Sequence, residues 1–262
     1  MIRIKTAKQI TGIRESCHLL AEVLELLENG IQPGITTLDL DEISKREISS
    51  RGGRPAFLGY QGFPGALCTS VNEEVIHGIP SDRRLNEGDI VTIDCGIEYN
   101  GYYSDSAVSV PVGQTSPEIT RLLDVTRSSL EDGIGAARVG NRVNDVSRAI
   151  YKTISGEGYG IVRPYCGHGV GLSLHEDPQI PNYVGRGPNP RLKHGMVVAI
   201  EPMVNLGGDD VDVLEDDWTV VTGDRTVSAH FEHTVAIFRD HTEVLTRRSS
   251  ERVHSDVEAS AV

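Results

Sequence analysis

Apolar residues recur in the first part of the chain at the three- and four-residue spacing of an amphipathic helix. The residues on this face are Ile10, Ile13, Cys17, Leu20, Leu24 and Leu27. We predict a helix over about residues 5–28, ended by Gly30 and Pro33-Gly34. A second helix is predicted from Thr37 to Ser50, and glycine-rich turns and short strand-like runs follow up to Val112.

The same order of elements recurs after Gly113. Ser116-Pro117-Glu118 has the composition of a helix start, with a capping serine, a proline and an acidic residue. Another helix is predicted from Asn144 to Ile154, and strands from Gly160 to Leu245. Two rounds of helix, helix and strands predict an α+β fold of two related halves around a shared sheet.

We therefore predict one domain over residues 1–246, with halves of about 1–113 and 114–246. The remaining residues, 247–262, are polar and show no periodicity, so we predict a disordered tail.

A hairpin is predicted around Asn100-Gly101, because this pair favours a two-residue turn between strands. With that turn, Gly96 faces Asp105, and Asp94 lies diagonally across the strand pair on the same face. Diagonal neighbours lie about 7–8 Å apart, so their side chains can converge. Two such carboxylates suit a metal pair. From the hairpin alone, two exposed aspartates are the commoner explanation.

Two glutamates lie within apolar runs further along the chain. Glu201 is predicted inside a buried strand over residues 196–204, and Glu232 inside one over residues 231–238. Glutamate is almost never fully buried unless it is paired or bound to metal. One buried glutamate commonly has a salt-bridge partner. Two of them, together with the aspartates, favour a shared cation.

His168 and His175 follow in a glycine-rich stretch, and the small residues beside His168 leave room for close approach. On one regular strand an odd offset would point them to opposite faces. We therefore predict one metal ligand and one residue facing a substrate. His77 lies in a turn-rich stretch and would by itself indicate only an exposed loop. One histidine with four carboxylates suits Mn, Fe(II) or Co better than a structural zinc site.

Composition narrows the function classes. The chain has 262 residues and a formal net charge of -13, which argues against nucleic-acid or membrane binding. Its apolar runs are far shorter than a membrane span, and the start shows no signal region. The cysteines are dispersed, so we expect reduced thiols. We expect a cytoplasmic protein.

Four stretches around these residues resemble the methionine aminopeptidases, in particular the short bacterial type I enzymes. They are NEEVIHGIP at 72–80, GHGVG at 167–171, AIEPM at 199–203 and FEHT at 231–234. The resemblance covers about residues 10–245. It implies the "pita-bread" fold, in which two pseudo-symmetric αβ halves surround a curved antiparallel sheet. It also implies removal of the N-terminal methionine from nascent proteins when the second residue is small.

The resemblance further implies two divalent metal ions, Co, Mn, Fe(II) or Zn, whose identity stays open. Asp94 would bind one ion, His168 and Glu201 the other, and Asp105 and Glu232 would bridge both. A hydroxide activated by the two ions would then attack the Met–X peptide bond.

Catalytic and substrate-binding roles also follow from the resemblance. Glu201 would shuttle a proton, His175 would contact the scissile amide and His77 would help to position the substrate. The positions that match the methionine pocket are Tyr60, Phe63, Cys68 and Trp218. Without the family match, these four would suit core packing equally well.

Three positions depart from the family pattern, namely Gln61, Leu174 and His230. We expect them to change the shape of the pocket without touching a predicted metal ligand.

Two alternative functions stay open: a proline-specific aminopeptidase P or prolidase, which usually carries an additional N-terminal domain, and a metal-free binding homologue. A calcium-stabilised structural protein would not explain His168.

The expected partners are N-terminal peptides of nascent proteins, and we expect transient contact with the ribosome. We expect no direct nucleic-acid recognition and no membrane binding, and we expect the chain to be a monomer.

Overall fold

Two pairs of helices alternate with two series of strands along the chain. The computed structural model describes residues 1–251. The helices are α1 (Ala7–Gly30), α2 (Thr37–Ser50), α3 (Pro117–Ala136) and α4 (Val143–Gly156). Thr6, Thr36 and Ser116 each accept a hydrogen bond from the backbone amide three residues later, and these caps decide where α1, α2 and α3 begin. The predicted helices are therefore confirmed to within a few residues.

The strands fall into a series before α3 and a series after α4. The first series is β1 (Arg54–Pro55), β2 (Leu67–Val71), β3 (Glu74–Ile76), β4 (Ile90–Tyr99) and β5 (Tyr102–Pro111). The second series is β6 (Gly160–Ile161), β7 (Gly167–Gly169), β8 (Glu176–Ile180), β9 (Val197–Ile200), β10 (Met203–Asn205), β11 (Val211–Val213), β12 (Val220–Thr222), β13 (Ser228–His230), β14 (His233–Ile237) and β15 (Thr242–Val244). A 3₁₀ turn, Tyr60–Gly62, lies between β1 and β2.

The strand pairs are antiparallel and form four hydrogen-bonded sheets. In the first, β4 pairs with β1, β2 and β5. The others have the orders β13-β10-β6, β11-β12-β3 and β15-β14-β9-β7-β8. One buried apolar cluster includes residues from both helix pairs and from strands of both series. Antiparallel strands with segregated helices confirm the predicted α+β class.

The strands predicted to contain Glu201 and Glu232 are each broken in two. β9 ends at Ile200 and β10 begins at Met203, while β13 ends at His230 and β14 begins at His233. β9 pairs with β14 in one sheet, and β10 pairs with β13 in another. Both segments therefore cross between the same two sheets. The two glutamates lie at these crossings and not inside strands, which corrects the prediction.

The first residues of the predicted tail contact the body of the protein. The Arg248 side chain is 3% exposed, and its Nε lies 3.2 Å from Glu28 Oε2. Arg248 also pairs with Glu251, whose Oε1 lies 3.5 Å from His233 Nε2. The structure thus places residues 247–251 against the domain through charge pairs, unlike the disorder predicted there. The rest of the tail lies outside the described residues.

In residues 1–251, no helix has both the length and the apolar character needed to cross a lipid bilayer.

Candidate active site

The hairpin of β4 and β5 brings two aspartates to one face of the first sheet. Tyr99 pairs with Tyr102, Gly96 with Asp105 and Asp94 with Ala107, as the two-residue turn predicts. Asn100 has a φ of 53° and Gly101 a φ of 81°, which the tight turn requires. The predicted register is confirmed, and Asp105 is only 3% exposed.

His168 lies on the short strand β7, between two glycines whose backbones approach other strands closely. A Cβ at Gly167 would lie 2.4 Å from the carbonyl oxygen of Ala199, and one at Gly169 2.3 Å from that of Asp177. The Nδ1–H of His168 can donate to the carbonyl of Gly169 over 2.9 Å. This arrangement leaves the Nε2 lone pair free to bind a cation. Nε2 lies 3.5 Å from Glu201 Oε1.

His175 and His168 do not share a strand, because β7 ends at Gly169 and a turn precedes β8. Strand alternation therefore does not apply to this segment and does not separate the roles of the two histidines, contrary to the prediction. Their ring centroids are 4.2 Å apart with a tilt of 47°. The Nδ1 of His175 lies 3.0 Å from the Tyr60 hydroxyl.

The four carboxylates converge with His168 into overlapping groups. Within each group, one nitrogen or oxygen atom per residue lies within 4.8 Å of the others. The groups are Asp94 with Asp105 and Glu232, His168 with Glu201 and Glu232, and Asp105 with His168 and His175. One oxygen each of Asp94, Asp105 and Glu232 is buried without a hydrogen-bond partner in the described residues. Buried acceptors without donors fit a site that binds cations.

Burial and mutual repulsion perturb the acidity of these groups when no cation is present. Burial raises the pKa of Asp94 to about 7, and burial and the charge of Asp94 raise the pKa of Glu201 to about 8. Burial and neighbouring carboxylates raise the pKa values of Asp105 and Glu232 well above their usual range. Burial lowers the pKa of His168 to about 3, so its imidazole is neutral near pH 7. Neutral imidazole and carboxylate are the forms that bind metal.

A cavity of about 530 Å³ opens over this cluster. All the residues predicted for the site line it: Tyr60, Phe63, Cys68, His77, Asp94, Asp105, His168, His175, Glu201, Trp218 and Glu232. Phe63 and Trp218 meet edge to face with centroids 5.1 Å apart. His77 lies between Tyr165 and Trp218, with centroid distances of 5.7 Å and 6.2 Å. The sequence prediction thus named residues that the fold brings to a single cavity.

Sequence reasoning missed other residues of the cavity wall, including Phe57, Tyr165, Cys166, Asp177 and Gln179. Tyr165 and Cys166 directly precede the Gly-His-Gly stretch, and that adjacency could have indicated them. Phe57 and Gln179 lie in segments without any local sign of a site.

The structure corrects one expectation about the departures from the family pattern. Gln61 and Leu174 line the cavity, as expected. His230 is 1% exposed, and its Nε2 lies 3.9 Å from Glu201 Oε2, so it faces a predicted ligand. Strand β13 leads directly into the crossing that carries Glu232, and the neighbouring antiparallel crossing carries Glu201. This shared position explains the proximity.

Most of the chain resembles known proteins of one family. Residues 11–238 match the family described as metallopeptidase family M24. A methionine aminopeptidase of Treponema pallidum is 54% identical over 94% of this chain and 96% of its own. Methionine aminopeptidase 1 of Bacillus subtilis is 49% identical over 94% of this chain and 100% of its own. The crystal structure of the methionine aminopeptidase from Rickettsia prowazekii superposes with a TM-score of 0.92 at 38% identity, covering 94% of this chain and 100% of that one.

A prolidase from Pyrococcus furiosus is less similar, with a TM-score of 0.78, 25% identity and coverage of 94% of this chain but only 66% of that one. The likeness confirms the pita-bread fold, and it does not favour the proline-specific or metal-free alternatives. By sequence, structure and a buried carboxylate–histidine cluster that suits divalent metal, the chain belongs to the methionine aminopeptidases of metallopeptidase family M24.

Proposed function

We propose that the chain removes N-terminal methionine with two divalent ions held by Asp94, Asp105, His168, Glu201 and Glu232. One observation carries the proposal: the groups that could hold an ion share members, and Glu232 belongs both to the Asp94 group and to the His168 group. His168 Nε2 also lies 3.7 Å from Asp105 Oδ2. The overlap supports Asp105 and Glu232 as ligands common to both ions.

The donor set fits such ions, because Asp105 and Glu232 are buried and no Lys or Arg lies among the described residues that line the cavity. Carboxylate and imidazole ligands suit Mn, Fe(II), Co or Zn. Bound divalent ions would polarise the scissile carbonyl and lower the pKa of a water molecule.

Protein side chains would handle the proton and the amide. The Glu201 carboxylate would accept a proton from the attacking water and pass it to the leaving amine. Burial lowers the pKa of His77 to about 4 and also lowers that of His175, so both rings are neutral near pH 7. A neutral imidazole can donate one hydrogen bond to the substrate and accept another. We assign His175 to the scissile amide and His77 to substrate positioning.

The methionine side chain would enter the wall formed by Tyr60, Phe63, Cys68 and Trp218. Phe63 is 3% exposed and Cys68 is 4% exposed, and both belong to one apolar cluster with Tyr60 and Trp218 packed against it. Aromatic edges and a buried thiol suit an unbranched thioether, which gains from sulfur–aromatic contact.

Further parts of the proposal rest on the family expectation. Residues 1–246 would act as one catalytic domain with pseudo-symmetric halves. The enzyme would be a cytoplasmic monomer that meets N-terminal peptides of new proteins through transient ribosome contact.

Hydrolysis of a Met-Ala-Ser peptide tests the proposal. We expect release of free methionine, its loss after chelation and its return when Mn²⁺ or Co²⁺ is added back. The matched control is N-acetyl-Met-Ala-Ser, which lacks the free α-amine that an aminopeptidase requires and should resist cleavage. Unchanged cleavage after complete removal of metal, or equal cleavage of the acetylated peptide, would contradict it.

A further inference from the structure

A buried ion pair lies directly beneath the turn that carries His175. Lys5 Nζ lies 2.9 Å from Glu176 Oε2, and the two side chains are only 1% and 2% exposed. Glu176 Oε1 accepts hydrogen bonds from the backbone amides of Leu172 at 2.7 Å and Ser173 at 3.1 Å. One carboxylate thus joins the first residues of the chain to the turn, and His175 directly precedes it.

The same turn has further anchors to the first residues of the chain and to α1. Arg3 Nη1 donates to Ser173 Oγ over 3.2 Å. Lys5 itself is fixed by its backbone amide, which donates to the carbonyl of Gly195, outside the turn, over 2.8 Å. Gly171 has a φ of 126°, and a Cβ there would lie 2.4 Å from Ile13 Cδ1. The turn therefore rests on a surface made by the N-terminal segment and cannot shift without disturbing it.

Burying a charge pair removes both charges from water, which costs free energy. Removing Lys5 from water lowers its pKa, and the hydrogen bond that Lys5 donates to Glu176 opposes that shift. A buried pair often stabilises a fold no more than apolar residues would, although it does demand one geometry. Here that geometry has a chemical consequence, because the His175 ring must stay between Tyr60 and His168.

We propose that Lys5 and Glu176 are positioning residues that hold the His175 imidazole toward the substrate through the turn of residues 171–175. The inference rests on the proposed contact of His175 with the scissile amide. Glu176 lines the cavity, but its side chain and that of Lys5 are only 2% and 1% exposed, so neither is placed to contact that amide. We therefore expect their replacement to change kcat, and to do so only through His175.

Lys5→Met is the first test, because it keeps the length of the side chain and leaves Glu176 without its partner. We expect kcat for Met-Ala-Ser to fall roughly tenfold, since small displacements of a catalytic group lower rates steeply. KM and bound metal should change little. Arg14→Met is the matched control. It removes another ion pair of the N-terminal region, with Glu243 at 2.8 Å, and should leave kcat unchanged.

The Lys5→Met/Glu176→Gln double variant guards against simple unfolding. Gln can still accept the two backbone hydrogen bonds, and no buried charge lacks a partner. We therefore expect its kcat to recover toward that of the wild type. If the double variant folds with normal metal content yet is no faster than Lys5→Met, the positioning role is wrong.

A cycle with His175→Ala separates this inference from the proposed function. If Lys5 acts through His175, Lys5→Met should cause no further loss of kcat in the His175→Ala background. The same tenfold loss in both backgrounds would overturn the inference and leave the role of His175 intact. If His175→Ala alone leaves kcat unchanged, the proposed role of His175 fails, and the inference fails with it.

Discussion

The hydroxyl of Tyr60 lies 3.0 Å from Nδ1 of His175, and the two rings stack with their centroids 5.2 Å apart. A neutral imidazole carries one proton, so the partner of one ring nitrogen decides the state of the other. When the Tyr60 hydroxyl donates to Nδ1, the proton of His175 stays on Nε2. That N–H is then free to donate to a substrate carbonyl. Tyr60 thereby connects the proposed methionine pocket with the proposed catalytic histidine.

Replacing Tyr60 by Phe should lower kcat by about two- to tenfold, the equivalent of one lost hydrogen bond. The aromatic ring stays in place, so the KM for Met-Ala-Ser should change little. Steady-state kinetics on this peptide provide the measurement. A large rise in KM with normal kcat would instead place Tyr60 only in the binding of methionine.

His175→Ala should lower kcat by roughly 10²-fold, the lower range for a lost general acid–base group. Because we propose that His175 contacts the substrate and not the metal, the amount of bound metal measured by elemental analysis should not change. The measurement is needed to distinguish a substrate-binding role from a metal-binding role, because a His175 nitrogen lies within 4.8 Å of possible ligand atoms of Asp105 and His168. Loss of an ion in the variant would make His175 a metal ligand.

Asp105→Asn should abolish hydrolysis even at saturating metal. The amide keeps the shape of the side chain and loses the charge that would hold two cations close together. Asp124→Asn, on the exposed face of α3, is the control and should retain full activity. Near-normal turnover of Asp105→Asn would count against its bridging role.

The metal-free protein should become less stable as pH rises from 7 to 8. In the fold, burial raises the pKa of Asp94 to about 7 and that of Glu201 to about 8, above the values expected in the unfolded chain. The folded state then holds more protons than the unfolded state, so raising the pH favours unfolding. The free energy of unfolding should fall by up to about 1.4 kcal/mol per pH unit for each proton.

Urea denaturation of the chelated protein at both ends of this range measures the effect. The lowered pKa of His168 acts in the opposite direction, but mainly below the ordinary pKa of histidine at 6.5. Glu201→Gln should reduce the slope because it removes one of the titrating groups. Added Mn²⁺ should stabilise the wild type more at pH 8 than at pH 7. Stability that rises with pH in the chelated protein would contradict the argument.

Cleavage should be efficient for Met before Ala, Gly or Ser, and poor before Leu, Lys or Trp. A bulky second residue would crowd the space between His77, His175 and the carboxylate cluster, and a displaced carbonyl reacts slowly. At the first position norleucine should replace Met well, whereas branched Leu should fit poorly beside Phe63 and Trp218. A peptide panel compared by kcat/KM tests both positions. Equal rates for Met-Ala and Met-Trp peptides would refute the proposed specificity.

Local sequence determined the parts of this protein that depend on neighbours along the chain. Asn100-Gly101 set the turn, and the register that follows brought Asp94 and Asp105 to one face as predicted. Helix α2 has the predicted bounds, because the capping side chain of Thr36 lies directly before it. The motifs around His168, Glu201 and Glu232 indicate the family without any knowledge of the contacts between them.

Only the tertiary structure decided how distant segments meet. Glu201 and Glu232 lie where strands cross between two sheets, which depends on the pairing of β9 with β14 and of β10 with β13. The same crossings put His230 against Glu201, and a turn held by Glu176 puts His175 beside His168. Hydrophobic periodicity reports which face of a segment is buried. It cannot report which distant segment will cover that face, and that choice assembled the site.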